Sequence, residues 1–326
     1  AFTTETEVAE IESFRGQQGE FTTYGTHEPG ETLFEKYFTK LTASVDTEKI
    51  KTRAFKVALD PINSVGCTTT PKLLELFGAT PFVINGEPTG QFAHEPEPLP
   101  KNLTGLQALV KENACDVGFA QDPDGDRLVV CDENGVIPSE ETMLALCMKA
   151  VLSKKPGTIV INLSTSNMSE DIATAAHSKC VRSKVGEANV VEMMQKENAV
   201  AGGEGGGGII WPEVNTARDS YVGIALILEL MATEGKKLSE IIASLPKYGM
   251  LKEKMAFTGD LPLFYEKLVN TFPAISENRT DGLRLDFPDR SWIHVRPSNT
   301  EPVVRIIAEG TTVEQAEGLV QRARSL

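Results

Sequence analysis

Three aspartates stand at every second position in the stretch GFAQDPDGDRLVVCDE: Asp122, Asp124 and Asp126, with Gly125 between the last two and Arg127 directly after. Unit charges roughly 4 Å apart repel by about 4 kcal/mol at an effective dielectric of about 20, so an uncompensated trio would shift its own pKa values or open. A cation is expected there. Three monodentate carboxylates make an oxygen-only set that suits magnesium and leaves positions for a phosphate oxygen. Arg127 would bind that phosphate. A calcium loop of EF-hand type also fits Asp122, Asp124, Asp126 and Glu133 at its first, third, fifth and twelfth positions. Its sixth position, however, requires glycine where Arg127 stands, and the flanks read as strands. A solvated acidic turn is the plainer alternative, since Asp and Gly are ordinary turn residues.

Two further stretches gather chemistry. In GGEGGGGIIWPE, from Gly202, Glu204 stands alone among six glycines. A phosphate loop of Walker type is excluded by the missing Lys-Ser/Thr ending, and no helix begins at the last glycine as a dinucleotide fingerprint requires. A flexible linker is the plain reading; the alternative is a backbone that approaches a ligand closely while one carboxylate binds hydroxyls. In VRPSNTEPVVR, Arg296 offers a fork of donors, and Ser298, Asn299 and Thr300 add hydroxyl, amide and main-chain N–H groups in a turn. Together they make a phosphate cradle, against the alternative of a capped hairpin turn. Arg305 adds charge or is a surface strand residue.

The elements that must position these stretches follow from periodicity. FKVALDP reads as a buried strand, TTTPKLLELFG as a helix stopped by glycine, ATPFVING as a strand, NLTGLQALVKENA as a helix capped by Asn102, and CDVGFAQ as a third strand. This alternation implies parallel βαβ units, and it repeats from SEETMLALCMKAVLSK to DSYVGIALILELMATEG. From about residue 247 the pattern changes to GLRLDFP, SWIHVRPS and PVVRIIAEG followed by one helix, a smaller α+β unit. The chain has 326 residues, enough for two to four domains. A net charge of -14 without a basic run argues against nucleic acid or a membrane as partner. An anionic substrate would need a few local arginines to overcome that field. Five scattered cysteines without a CxxC pair read as reduced thiols of a cytoplasmic protein, and no apolar run is long enough to span a membrane.

Taken together, the three motifs resemble those of the α-D-phosphohexomutase superfamily, which includes phosphoglucomutases, phosphomannomutases and phosphoglucosamine mutases. DPDGDR resembles its magnesium loop, GGEGGGG its sugar-binding loop and RPSNTEP its phosphate-binding loop, in matching order across roughly residues 45 to 326. The resemblance implies successive three-layer α/β domains with mixed sheets and a smaller C-terminal α+β domain. The corresponding spans are 46–137 with the metal loop, 138–246 with the sugar loop and 247–326 with the phosphate loop. It further implies a phosphoserine enzyme that donates its phosphoryl group to a hexose phosphate and takes back the other group from a bisphosphate intermediate. Mg2+ would be held by Asp122, Asp124 and Asp126, and Arg127 would assist catalysis. Glu204 and Lys184 would bind the sugar or its phosphate, and Arg296, Ser298, Asn299 and Thr300 would grip the non-reacting phosphate. A hexose 1,6-bisphosphate would serve as activator, and the protein would be a monomer or homodimer.

The pattern is not followed everywhere. The superfamily's nucleophile motif, of the type Thr-Ala-Ser-His-Asn-Pro, has no counterpart; Thr42, Ala43 and Ser44 are followed by Val45 and Asp46. Residues 1–45 are therefore expected to be the tail of the nucleophile-bearing domain and a linker, with the chain inactive alone or acting as a sugar-phosphate-binding fragment. Gly206 and Gly208 replace Ser and His of many relatives, Glu187 stands where some have His, and Ser164 where some have Lys. These variants point to the phosphoglucosamine mutase branch, with phosphomannomutase/phosphoglucomutase as the alternative. A haloacid-dehalogenase-type phosphatase would also use aspartates and magnesium, but it places Asp-x-Asp after the first strand near the chain start.

Overall fold

The computed structural model describes residues 5–16, 31–298 and 303–326. Helices α1 (Glu5–Ser13), α2 (Glu31–Ser44) and α3 (Thr47–Thr52) precede the first sheet. Its strands are β1 (Lys56–Asp60), β2 (Thr80–Val83), β3 (Val117–Gln121) and β4 (Leu128–Asp132). The order is β2-β1-β3-β4, with β1 parallel to β2 and β3, and β4 antiparallel to β3. The parallel crossovers carry α4 (Gly66–Leu76) and α5 (Thr104–Glu112). Every residue of β3 and β4 is buried, as strands covered on both faces require.

The second unit repeats the plan. It comprises α6 (Glu141–Lys154), β5 (Ile159–Asn162), α7 (Asn167–Ala175), β6 (Cys180–Ser183), α8 (Glu187–Glu197), β7 (Ala201–Glu204), β8 (Gly208–Ile210) and α9 (Ser220–Glu234). Its sheet order is β6-β5-β7-β8, again with only the last strand antiparallel. After α10 (Leu238–Ala243) comes a five-stranded antiparallel sheet in the order β10-β11-β12-β13-β9. Its members are β9 (Gly249–Ala256), β10 (Ser276–Asn278), β11 (Leu283–Asp286), β12 (Trp292–Pro297) and β13 (Val303–Gly310), with α11 (Leu261–Thr271) and α12 (Val313–Arg324). The α/β units with mixed sheets and the smaller α+β unit match the expected fold class. No helix among the described residues is long and apolar enough to cross a membrane.

Helices α6 and α9 are apolar on nearly every face because they lie inside the core that joins the first two units. Helix α2 adds Phe38 and Leu41 to that core, and Tyr37 donates a 2.7 Å hydrogen bond to Asp219 at the start of α9. The last unit has its own core, built on Phe264, Leu268, Ile293 and Ile306. One local expectation fails. Helix α5 starts after Leu103, with no side-chain cap, and Asn102 instead donates to the Glu97 carbonyl at 2.9 Å from a single 3-10 turn.

The last unit meets the second through polar groups. Arg284, 2% exposed, lies over the Trp292 ring at 4.1 Å, donates to the Leu163 carbonyl and pairs with Asp286 at 2.8 Å. Burial pulls its guanidinium down to about 10. The main-chain N–H of Asn167 donates to Glu309 at 2.8 Å, and the Asn167 amide to the Arg290 carbonyl at 2.8 Å. Breaking a buried charged contact typically costs about 3 kcal/mol. Arg284→Leu is therefore expected to let the last unit melt ahead of the other two, as a separate low-temperature transition in scanning calorimetry. One unsplit transition at the original Tm would show that Arg284 does not hold this seam.

Candidate functional site

The aspartate loop is the hairpin between β3 and β4. Gly125 takes φ +74, which swings the chain so that oxygens of Asp122, Asp124 and Asp126 all lie within 4.8 Å of one another. The Asp122 carboxylate accepts from the Arg127 main-chain N–H at 3.0 Å and from its Nε at 2.7 Å. Burial opposes ionisation of Asp122, but these bonds outweigh it and hold the carboxyl below its usual range. Burial drives Asp126 the other way, up to about 7, with repulsion from Asp122 and Asp124 adding to the effect against the pull of Arg218. The loop thus holds more negative charge than its own Arg127 neutralises. An oxygen-only trio with excess charge, exposed at Asp124, fits a magnesium ion. Glu133 is turned away to Ser239 at the start of α10 and takes no part, which removes the EF-hand alternative.

The glycine loop is the equivalent hairpin between β7 and β8, and it is no loose linker. The Leu128 N–H donates to the Gly207 carbonyl at 3.0 Å, and at Gly207 the φ of +101 and a Leu128 carbonyl 2.3 Å from any added Cβ leave room for glycine alone. At the end of β7, Glu204 Oε1 accepts from Asn162 Nδ2 at 2.7 Å and from the Gly186 N–H at 2.8 Å. Those two donors fix the carboxylate and leave Oε2 for other partners. The nearest is Arg218, whose Nη1 lies 3.6 Å away.

In the last unit, Arg296 on β12 is in direct register with Arg305 on β13, and Arg305 with Lys254 on β9. Like charges opposite one another across strands destabilise a sheet unless an anion compensates them. Arg296 Nε is buried and makes no hydrogen bond among the described residues, with only Asp281 at 3.5 Å. Ser298 follows β12 at half burial, its N–H donating to Val303 at 2.9 Å. Asn299 and Thr300 lie outside the described residues.

A cleft of about 490 Å³ collects these parts: Arg127, Glu204 with Gly205 and Gly206, Arg218, and the row Arg296, Arg305 and Lys254. With Lys252, six of its lining side chains are Lys or Arg against four Glu (Glu97, Glu140, Glu204 and Glu253), a local excess of positive charge in a chain of net charge -14 that suits an anion. Lys184 is exposed and does not line it, although the next residue, Val185, does. Ser44 lies elsewhere, at the end of α2, with its hydroxyl donating to the Lys40 carbonyl at 2.9 Å. Ser164 also lines the cleft and donates to Nδ1 of buried His294 at 2.9 Å, since the ring's Nε2–H is engaged by the Asp281 carbonyl at 2.6 Å. Sequence reasoning missed Arg218, Lys252, Lys254 and the Pro98–Leu99 wall. The Lys-Glu-Lys alternation of residues 252–254 was the available signal for β9.

Three family models match the chain. Residues 35–135 fit the phosphoglucomutase/phosphomannomutase alpha/beta/alpha domain II, residues 139–248 domain III, and residues 261–326 the C-terminal domain. A phosphoglucomutase/phosphomannomutase of Thermococcus kodakarensis is 37% identical over 290 residues, covering 88% of this chain and 63% of the relative. A phosphoglucosamine/phosphogalactosamine mutase of Sulfurisphaera tokodaii is 32% identical, covering 90% of this chain and 66% of the relative. The chain thus spans about two thirds of the length of these relatives. The crystal structure of a phosphoglucomutase/phosphomannomutase family protein from Burkholderia thailandensis shares the fold, with a TM-score of 0.79 at 24% identity over 89% of this chain and 64% of that one.

Two measurements test the site. Mg2+ at a hundred times its Kd adds about 2.7 kcal/mol to a protein that binds it only when folded. Wild type should melt higher in Mg2+, whereas Asp124→Asn should lose that rise and keep or raise the metal-free Tm; a rise that survives the substitution would place the ion elsewhere. His294 is held neutral by burial, its pKa pulled down from 6.5 to about 4. Below 6.5 the unfolded chain binds a proton that the folded one refuses, so this contribution is complete above 6.5 and is lost as pH falls towards 4. Relative to His294→Gln, wild type should lose about 3 kcal/mol over that window in urea titrations; parallel curves would refute the assignment.

Proposed function

This chain belongs to the phosphoglucomutase/phosphomannomutase family, and on that premise we propose that it forms the metal-, sugar- and phosphate-binding walls of a phosphohexomutase acting on hexose 1- and 6-phosphates, with glucosamine phosphate preferred. The observation that carries this reading is the cleft that brings Glu204, Arg127 and the Arg296–Arg305–Lys254 row together. The cationic row grips the phosphate that does not react. Glu204, immobilised through one oxygen, accepts hydroxyl hydrogens of the ring with the other. Adjacent ring hydroxyls present a similar pair of donors when the sugar is turned end for end, so one carboxylate can read both orientations. Arg127 holds the second phosphate beside the aspartates.

Residues Asp122, Asp124 and Asp126 would hold Mg2+, which when bound supplies charge neutralisation at the transferring phosphoryl group. The phosphoryl donor is a phosphoserine that residues 1–326 do not provide, and a hexose 1,6-bisphosphate primes it. Support comes from the break in the expected motif, where Val45 and Asp46 follow Thr42, Ala43 and Ser44, and from the position of Ser44, outside the cleft.

Titration calorimetry in Mg2+ should find that the chain binds glucosamine 6-phosphate more tightly than glucose or mannose 6-phosphate and does not bind free glucosamine. Arg305→Ala should weaken binding about tenfold, corresponding to about 1.4 kcal/mol. A coupled assay with bisphosphate should detect no hexose 1-phosphate from the chain alone. Product formation would put the nucleophile within these residues and overturn the phosphoserine part. Failure of any hexose phosphate to bind would overturn the whole reading.

A further inference from the structure

Arg218 lies in the segment between β8 and α9 and faces three carboxylates at once. Its guanidinium pairs with Asp126 of the aspartate loop through Nη2, with Glu187 at the start of α8 through Nε at 3.0 Å, and with Glu204 of the glycine loop through Nη1 at 3.6 Å. Its main-chain N–H also donates to Glu187 at 2.6 Å, so both ends of the residue are tied to that side chain. The stem crosses Gly208, the residue directly opposite Glu204 in the β7–β8 ladder. A Cβ on Gly208 would stand 2.3 Å from Arg218 Cδ and 2.9 Å from Cγ.

Two neighbouring residues therefore converge on this one side chain. Gly208 leaves the space that the arginine stem fills. Glu187 supplies the counter-charge that holds the arginine in place. The guanidinium, with its five N–H donors, lines the cleft.

We propose that Arg218 is a positioning residue that couples a divalent cation on the aspartate loop to the binding of sugar hydroxyls at Glu204; this rests on the hexose phosphate reading above. Asp126 is the shared element. With no cation on the loop, the guanidinium is the nearer charge partner of Asp126, with Arg127 Nε at 3.6 Å as the other. A dication drawn to the three aspartates competes for the same carboxylate and repels the guanidinium, which is left to Glu187 and Glu204. There it braces the free oxygen of Glu204 and turns its remaining donors to the ring oxygen or a hydroxyl of the bound hexose. The coupling is reciprocal, so sugar phosphate must tighten the cation by the same factor as the cation tightens the sugar phosphate.

The test is a double titration of the 326-residue chain by calorimetry, with Mg2+ and glucosamine 6-phosphate each added in the absence and presence of the other. In wild type, each should tighten the other by about tenfold. In Arg218→Met and in Gly208→Ala, that factor should fall to about one. Gly208→Ala keeps the arginine and its charge and only displaces the stem, so it answers the question even if Arg218→Met does not fold; a Tm measurement confirms that each titrated variant is folded. A tenfold factor that persists in either folded variant would mean that the cation meets the sugar phosphate directly, and the proposal falls. A wild type that binds both ligands without coupling also overturns it. A wild type that binds no hexose phosphate with or without Mg2+ overturns the functional reading itself, and this inference with it.

Discussion

The 3.0 Å hydrogen bond from the Leu128 N–H to the Gly207 carbonyl is where two separate sheets become one site. It runs from the first residue of β4 to the turn of the glycine loop, and it exists only because residue 207 has no side chain. The same junction is stitched a second time, by Ser220 Oγ donating to the Gly125 carbonyl at 2.6 Å. These two contacts tie the aspartate loop directly to the glycine loop and to the start of α9. Pre-organisation of this kind fixes the distance between the two loops before any ligand arrives.

The third wall is attached differently. The first two units share one apolar core through α6 and α9, whereas the last unit has its own core and meets the second through Arg284, Asn167, Glu309 and His294. A seam of hydrogen bonds and buried charge gives orientation with little hydrophobic adhesion. The cationic row on β12, β13 and β9 belongs to this separately attached unit, and a guest anion held by that row would add to the seam's hold.

Much of the fold was legible because the strands and helices of the first two units are long in apolar residues and punctuated by Gly and Pro. The strands β1, β3, β5 and β7 could be read directly. By contrast, β9 is half exposed and alternates charges, and β10 has three residues, so neither carries a hydrophobic signature. At the site, the aspartates, Glu204 and Arg296 were recognisable because residue type and spacing within a single loop imply their chemistry. Arg218 and Lys254 were not, since their meaning lies in partners 92 residues away or on a neighbouring strand. The role of Arg305 was ambiguous until strand register placed it opposite Arg296.

The sheet orders β2-β1-β3-β4 and β6-β5-β7-β8 are the same arrangement, with the same single antiparallel strand at the same edge. The aspartate loop joins the last two strands of the first sheet, and the glycine loop joins the last two of the second. They are one turn in two copies of a module. The same hairpin position therefore carries two different side-chain sets: one gathers three carboxylates, and the other surrounds a single carboxylate, Glu204, with glycines. What differs between the two loops is their side chains, while the backbone plan that presents them is common to both sheets.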